Sequence, residues 1–248
     1  LFPYTTLFRS RIPMKYIGFA GNKDKKAITR QFISIKDVSS SKIKTISLKD
    51  IELNYIGKIS DRINLGDLLG NKFRITVRNV DGFVQRNISK VPNYFGEQRF
   101  SRDNHQIGKL LIKGKFKKAC ELMKKGTGEY EMRIKSHLER SPNDFIGAIK
   151  SLPRTLQRLY VHAYQSLLWN KAVKKYVSLE DNSENLLFPV IGFDTEFENE
   201  TIEQIYDNIL DEEYITERDF IIRKIPELSA AGDKRKLFME ISDFNATE

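Results

Sequence analysis

The sequence predicts an α+β protein: an antiparallel-sheet domain interrupted by a mostly helical insertion. Three observations carry this. Strand-like alternation dominates the chain as far as Asp81-Gly82; the apolar period then lengthens toward that of a helix; and a strand pattern returns at Lys236-Leu-Phe-Met-Glu-Ile241.

The elements follow in order. The first ten residues, Leu1 to Ser10, do not fit what comes after; they resemble a translated sequencing-adapter scar and are set apart from the fold. Tyr16-Ile-Gly-Phe-Ala20 reads as a buried strand. Gly21-Asn-Lys-Asp24 is a turn, with Gly and Asn supplying permissive backbone, and Gln31–Lys36 alternates as a half-buried strand. Ser39–Ser47 is a polar connection and Ile51–Ile59 another strand. Asp67-Leu-Leu-Gly-Asn71 is a turn before the clean alternation of Lys72–Arg78, which suits a sheet with one solvated face. Phe83–Val91 reads as a helix stopped by Pro92. Helices follow at His105–Ile112 and Lys115–Lys125, broken by Gly114 and closed by Gly126-Thr-Gly128. Ser141-Pro-Asn-Asp144 is a helix-start signal. The longest helix runs from Arg154 to about Tyr176, with Leu156, Leu159, Ala163 and Leu167 on one face. Leu187–Phe193 reads as a strand, and Thr201–Leu210 and Glu217–Ile225 as helices.

Composition excludes several classes. Sixteen Phe, ten Tyr and one Trp are too many aromatics for a disordered chain. One cysteine, Cys120, excludes an internal disulfide framework and multi-cysteine metal sites, and His105, His137 and His162 are scattered. No apolar stretch is long enough to span a membrane. No secretory pattern opens the chain, so a cytoplasmic protein is expected. The net charge of +9 hides an asymmetry: residues 1–177 carry 36 basic and 14 acidic side chains, residues 178–248 carry 6 and 19. A basic body suits a polyanionic partner through counterion release, and the acidic run should face away from any phosphates.

Four segments hold candidate chemistry. Asp24 sits in a turn among Lys23, Lys25 and Lys26. Cations there favour the carboxylate, which could serve as nucleophile or base; from the spacing alone a solvated turn acid is the better reading. Asn71 and Phe73, two apart, would share one face of a strand, where an amide and a ring could hold a base. A turn Asn followed by a core Phe is the alternative. Asn93-Tyr-Phe-Gly-Glu-Gln-Arg-Phe-Ser101 packs amides, an arginine and three aromatics into a segment without regular period. That suits a ligand-facing loop, or a buried Gln–Arg–Glu network pinning it. In the long helix, Gln165 and Trp169 share a face, and His162 reads as a helix-packing residue.

Taken together, Ala20-Gly-Asn-Lys-Asp-Lys-Lys-Ala-Ile-Thr-Arg-Gln31, Gly70-Asn-Lys-Phe73, Asn93-Tyr-Phe-Gly-Glu-Gln-Arg-Phe100 and Tyr164-Gln-Ser-Leu-Leu-Trp-Asn170 resemble the TruD family of tRNA pseudouridine synthases, of the archaeal type, over about residues 15–245. The resemblance implies a pseudouridine synthase catalytic domain (residues 11–91), the family's insertion domain (92–230) and a return into the catalytic sheet (231–248). RNA is expected in the cleft between the domains. It implies Asp24 as the catalytic aspartate, Asn71 and Phe73 as residues that orient it and stack on the uracil, and Lys23, Asn93, Phe95, Gln98 and Arg99 as further substrate-binding positions. The expected reaction is isomerisation of a tRNA uridine, at the thirteenth nucleotide, with no cofactor. The expected partner is tRNA; nothing points to an obligatory protein partner. Sequence that the family carries at both ends looks lost here, so a gene fragment is expected, with an inactive RNA-binding fragment as the alternative function.

Overall fold

The computed structural model describes residues 12–24, 27–76, 78–79, 88–101, 103–179 and 186–242. The chain divides into two compact units, residues 1–81 and 82–248. Regular structure is mixed: antiparallel strand pairs and helices, an α+β fold.

In the first unit, β1 (Ile17–Phe19) and β2 (Ile33–Ile35) form an antiparallel pair, with Ile17 opposite Ile35 and Phe19 opposite Ile33. A small core forms around Ile12 and Ile17, joined by Met14, Tyr16, Ile35, Val38, Ile46, Leu48 and Leu53. Within the expected polar connection lies a short helix, α1 (Ser40–Lys44), whose Lys42 amide donates to the Ser39 hydroxyl at 3.3 Å. Residues 62–66 cross the pair and are tied to it. Arg62 donates to the Ile17 carbonyl at 2.9 Å, the Ile63 amide to Ser34 Oγ at 3.0 Å, and the Gly66 amide to the Ala20 carbonyl at 2.8 Å. This crossing needs glycine at position 18, where a Cβ would stand 2.3 Å from the Ile63 carbonyl oxygen.

Two expected strands do not form. Ile51 makes an isolated bridge to Leu48, and residues 52–59 have no strand. The described part of Lys72–Arg78 also runs without regular structure. Alternation prepares a face for burial, but a strand exists only when a neighbour pairs with its backbone, and neither segment has one among the described residues. Phe73 and Ile75 accordingly stay 71% and 79% exposed. The expected helix at Phe83–Val91 lies largely outside the described residues; its end, Lys90–Pro92, is a strand.

The second unit holds the main core. Strand β3 (Lys90–Pro92) is followed by α2 (Glu97–Phe100), α3 (Asn104–Ile112), α4 (Phe116–Met123), α5 (Glu129–Arg140), α6 (Phe145–Lys150) and α7 (Arg154–Leu179). Then come β4 (Leu187–Val190), α8 (Glu200–Glu213), two 3-10 turns at Glu217–Phe220 and Pro226–Leu228, β5 (Asp233–Lys236) and β6 (Phe238–Glu240). A 3-10 turn at Glu217–Phe220 stands where a helix was expected over Glu217–Ile225, and a second begins at Pro226, whose missing amide donor suits the first position of a turn. Asp144 caps α6 as its sequence signal implied, accepting the Gly147 amide at 2.8 Å and bonding His137 Nε2 at 2.9 Å.

Helix α7 is the axis of this unit. Its buried face is wider than the expected stripe: of that stripe Ala163 is fully buried and Leu156, Leu159 and Leu167 are half-buried, while Tyr160, Val161, Tyr164, Leu168, Trp169, Ala172, Val173 and Tyr176 are buried beside it. Tyrosine and tryptophan, polar at one end, carry most of that face. Helix α3 crosses it at Gly108, where an added Cβ would lie 2.1 Å from the Tyr160 carbonyl oxygen and 3.0 Å from Tyr164 Cβ. Cys120 is fully buried, and burial pushes its thiol up to about 11. Among the described residues no helix is long and apolar enough to cross a membrane.

Part of the acidic run is held in ion pairs. Glu212 pairs with Lys175, Glu198 with Lys234 and Glu227 with Lys150. Glu213, only 13% exposed, receives Lys109 at 2.5 Å, Lys171, and the Tyr164 hydroxyl at 3.0 Å. Burial alone would raise its carboxyl, but hydrogen bonds from Lys109 and Lys171, the Lys171 charge and the Tyr164 hydroxyl outweigh burial and hold it at about 2. The folded value lies below the unfolded one, about 4.3. The stabilisation is therefore complete above pH ~4.5 and is lost as pH falls toward 2. Thermal melts between pH 6 and 2 should show an acid limb in that window for the native chain, and a visibly shallower one for Glu213→Gln.

Candidate functional site

In the first unit the turn at Gly21–Asp24 is held from below by the bond between Gly66 and Ala20. Segment 62–66 leads on to Asn71, and Lys23 Nζ donates to Asn71 Oδ1 at 2.8 Å. The structure thus joins two of the motifs that the sequence separates by 48 positions: the turn that carries Asp24 and the segment that carries Asn71 and Phe73. Asp24 and Asn71 are exposed, and the Phe73 ring lies open to solvent. Asn71 and Phe73 do not share a strand face, since no strand forms there. The structure thus offers a reachable carboxylate, an ammonium that crosslinks its turn to an amide, and an uncovered ring as candidate parts of a site.

The Asn93–Ser101 segment lies in the second unit and is anchored at three points. Asn93 is gripped from β5 and its exit: its amide donates to the Leu237 carbonyl at 2.8 Å and Nδ2 to the Lys236 carbonyl at 3.1 Å. Arg235 Nη2 donates to Asn93 Oδ1 at 2.6 Å and Nε to its carbonyl at 3.0 Å. Phe95 exchanges a pair of 2.9 Å bonds with the Asn170 side chain, amide to Oδ1 and Nδ2 to carbonyl. Its ring meets Trp169 edge-on at 5.4 Å. Arg99 Nε donates to Ser166 Oγ at 3.3 Å, and Ser166 in turn donates to the His162 carbonyl at 2.7 Å. The anchoring is therefore an Asn–Arg–Ser network rather than the expected Gln–Arg–Glu one, and Glu97 and Gln98 are exposed on α2.

Gln165 is buried and donates to the carbonyls of Ile191 and Ala231, at 2.7 and 3.0 Å, joining the end of β4 to the approach of β5. His162, expected to pack inside a helix interface, is exposed instead. Partial burial, then the charges of Arg99 and Arg158, hold its ring below the ordinary value. The sequence reading gave no role to Arg235, which lies in the basic string Asp233-Lys-Arg-Lys236, or to Ser166, which lies inside the Tyr164–Asn170 motif.

The protein-family model for tRNA pseudouridine synthase D (TruD) matches residues 7–131, 117–184 and 176–248. The chain belongs to the TruD family. A protein from Methanosarcina mazei named "Probable tRNA pseudouridine synthase D" is 30% identical over 93% of this chain and 73% of its own length. One of the same name from Methanopyrus kandleri is 29% identical over 94% and 71%. The crystal structure of a Methanosarcina mazei protein named for TruD matches 96% of this chain and 75% of its own, with a TM-score of 0.72 and 29% identity. TruD is thus both the sequence family and the fold of this chain.

Proposed function

We propose that the chain isomerises a uridine of tRNA, the thirteenth nucleotide, to pseudouridine, with Asp24 as its catalytic residue. The observation that carries this reading is the Lys23–Asn71 hydrogen bond, which ties the Asp24 turn to the segment bearing the aromatic ring.

The chemistry follows from what the reaction demands. A uracil stacked in RNA is out of reach, so it must be extruded, and an open ring such as Phe73 replaces the lost stacking. Asn71 and Lys23 hold the turn in place so that the carboxylate meets the sugar at a fixed distance. Asp24 then either attacks C1′ or takes a proton from the sugar to leave a glycal; both routes break the N1–C1′ bond and spend the same carboxylate. The freed base turns and rejoins through C5, whose proton is lost while N1 regains one. The formula is unchanged, so no redox partner or transferred group is called for.

The proposed division at residues 92 and 231 fits one pairing in the second unit. The positions where the insertion would leave and rejoin, near residues 92 and 231, lie close to strands that pair with one another, β3 with β6. One observation favours a second reading, an RNA-binding fragment without conversion: Phe73 and Ile75 stand uncovered in the first unit. Incubating the full chain with a tRNA transcript and mapping pseudouridine by chemical sequencing decides between them. Conversion at the thirteenth nucleotide is expected; salt-sensitive binding with no conversion would establish the second reading.

A further inference from the structure

Helix α7 carries a polar stripe that the site description uses only in part. Arg158, His162, Ser166 and Asn170 follow at four-residue spacing, each beside the next, in a row that winds slowly around the helix over about 18 Å. Asn170 holds Phe95 and Ser166 holds Arg99. Over the Phe95 ring lie two guanidinium groups, Arg235 at 4.2 Å and Arg99 at 5.6 Å from its centroid.

Both arginines are half-buried. Two like charges so placed repel, and desolvation adds to the cost. Burial holds both guanidiniums below their ordinary value, and Arg99 adds to the effect on Arg235. In the same unit Lys109 and Lys171, also half-buried, meet the carboxylate of Glu213. Among the described residues neither Arg99 nor Arg235 has a carboxylate within ion-pair distance. The ring offsets part of the cost. A guanidinium has five N–H donors; among the described residues Arg99 spends one and Arg235 two, leaving the rest for a ligand.

We propose that Arg99 and Arg235, braced on Phe95 and continued along α7 by Arg158, form a seat for the backbone phosphodiesters of the RNA substrate. A forked, unneutralised guanidinium pair suits a tetrahedral oxyanion. This rests on the tRNA reading above and gives the Asn93–Phe100 segment a definite role: phosphate positioning outside the reacting centre. Arg235, which no motif singles out, becomes part of the substrate-binding machinery.

The test uses the full chain, a fluorescent tRNA transcript and anisotropy titrations at several salt concentrations. Arg99→Gln and Arg235→Gln should each weaken binding roughly tenfold and lower the slope of log affinity against log salt by about 0.7–0.9. Arg158→Gln, at an exposed position with no bond to the anchored loop, should lower the slope without moving the melting temperature. Arg235→Lys should restore the slope.

Variants that stay folded but bind with native affinity and slope overturn the proposal. So does weakened binding with an unchanged slope, which would make the arginines loop anchors only. An Arg99-dependent thermal shift from inorganic phosphate at constant ionic strength, with tRNA binding unaffected, assigns the seat to free phosphate and overturns it as well. A native chain that binds tRNA through these arginines yet forms no pseudouridine sinks the reaction reading and leaves the seat standing; one that binds no tRNA sinks both.

Discussion

Asp24→Asn is expected to abolish pseudouridine formation, lowering the single-turnover rate at least about 10³-fold, while tRNA affinity stays within about threefold. The amide has the shape of the carboxylate but cannot attack C1′ as an anion or accept a proton from the sugar. Whichever route the reaction takes, the step that breaks the glycosidic bond loses its only proposed participant. Binding should survive because the substitution removes a negative charge, which cannot weaken attraction to a polyanion, and leaves the Lys23–Asn71 bond in place. A single-turnover time course with pseudouridine mapping, beside an anisotropy titration of the same preparation, separates the two effects. Conversion at the native rate would remove Asp24 from the mechanism. A parallel collapse of binding would make it a positioning residue for RNA instead.

The largest structural effect is expected at Gly108. Alanine in the middle of a helix normally stabilises a protein by up to about 1 kcal/mol relative to glycine. Here the sign should reverse. The new methyl group would meet the Tyr160 carbonyl oxygen at 2.1 Å and its carbon at 2.8 Å. Both are backbone atoms of α7, so no rotamer change relieves the clash. The helices must part, and Ile107, Leu111 and Ile112, buried beside the contact, lose packing with them. A cost of about 2–3 kcal/mol follows from overpacking of this kind, which for a chain of this size lowers the melting temperature by roughly 5–10 °C. Calorimetry of Gly108→Ala checks it; an unchanged or raised melting temperature would show that α3 and α7 do not cross as closely as described.

Much of the second unit was legible because its helices announce themselves. Helix α7 and strand β4 were expected within a few residues of where they lie, and Asp144 begins its helix as its sequence neighbourhood implied. Helix α5 went unread because Ile134 is its one fully buried residue. A single apolar stripe of Tyr130, Ile134 and Leu138 is too narrow for periodicity to stand out from its charged surroundings. In the first unit the alternation of Lys72–Arg78 was real, but pairing is a property of two segments, and one sequence segment cannot report whether its partner is present. The site divided along the same line. Asp24, Asn71 and Phe73 were recognisable as motif residues, whereas the Lys23–Asn71 bond and the approach of Arg99 and Arg235 to one ring are tertiary facts.

The grip of Arg235 on Asn93 has a consequence for how the protein is made. The two residues are 142 positions apart. At about 5–20 residues per second, a ribosome delivers the second on the order of ten seconds after the first. Throughout that interval Lys90–Pro92 is an open edge awaiting β6, although α3 to α7 can already condense around their own core. Yield of soluble chain should therefore depend less on helix stability than on how well the nascent polypeptide is shielded until β5 and β6 emerge.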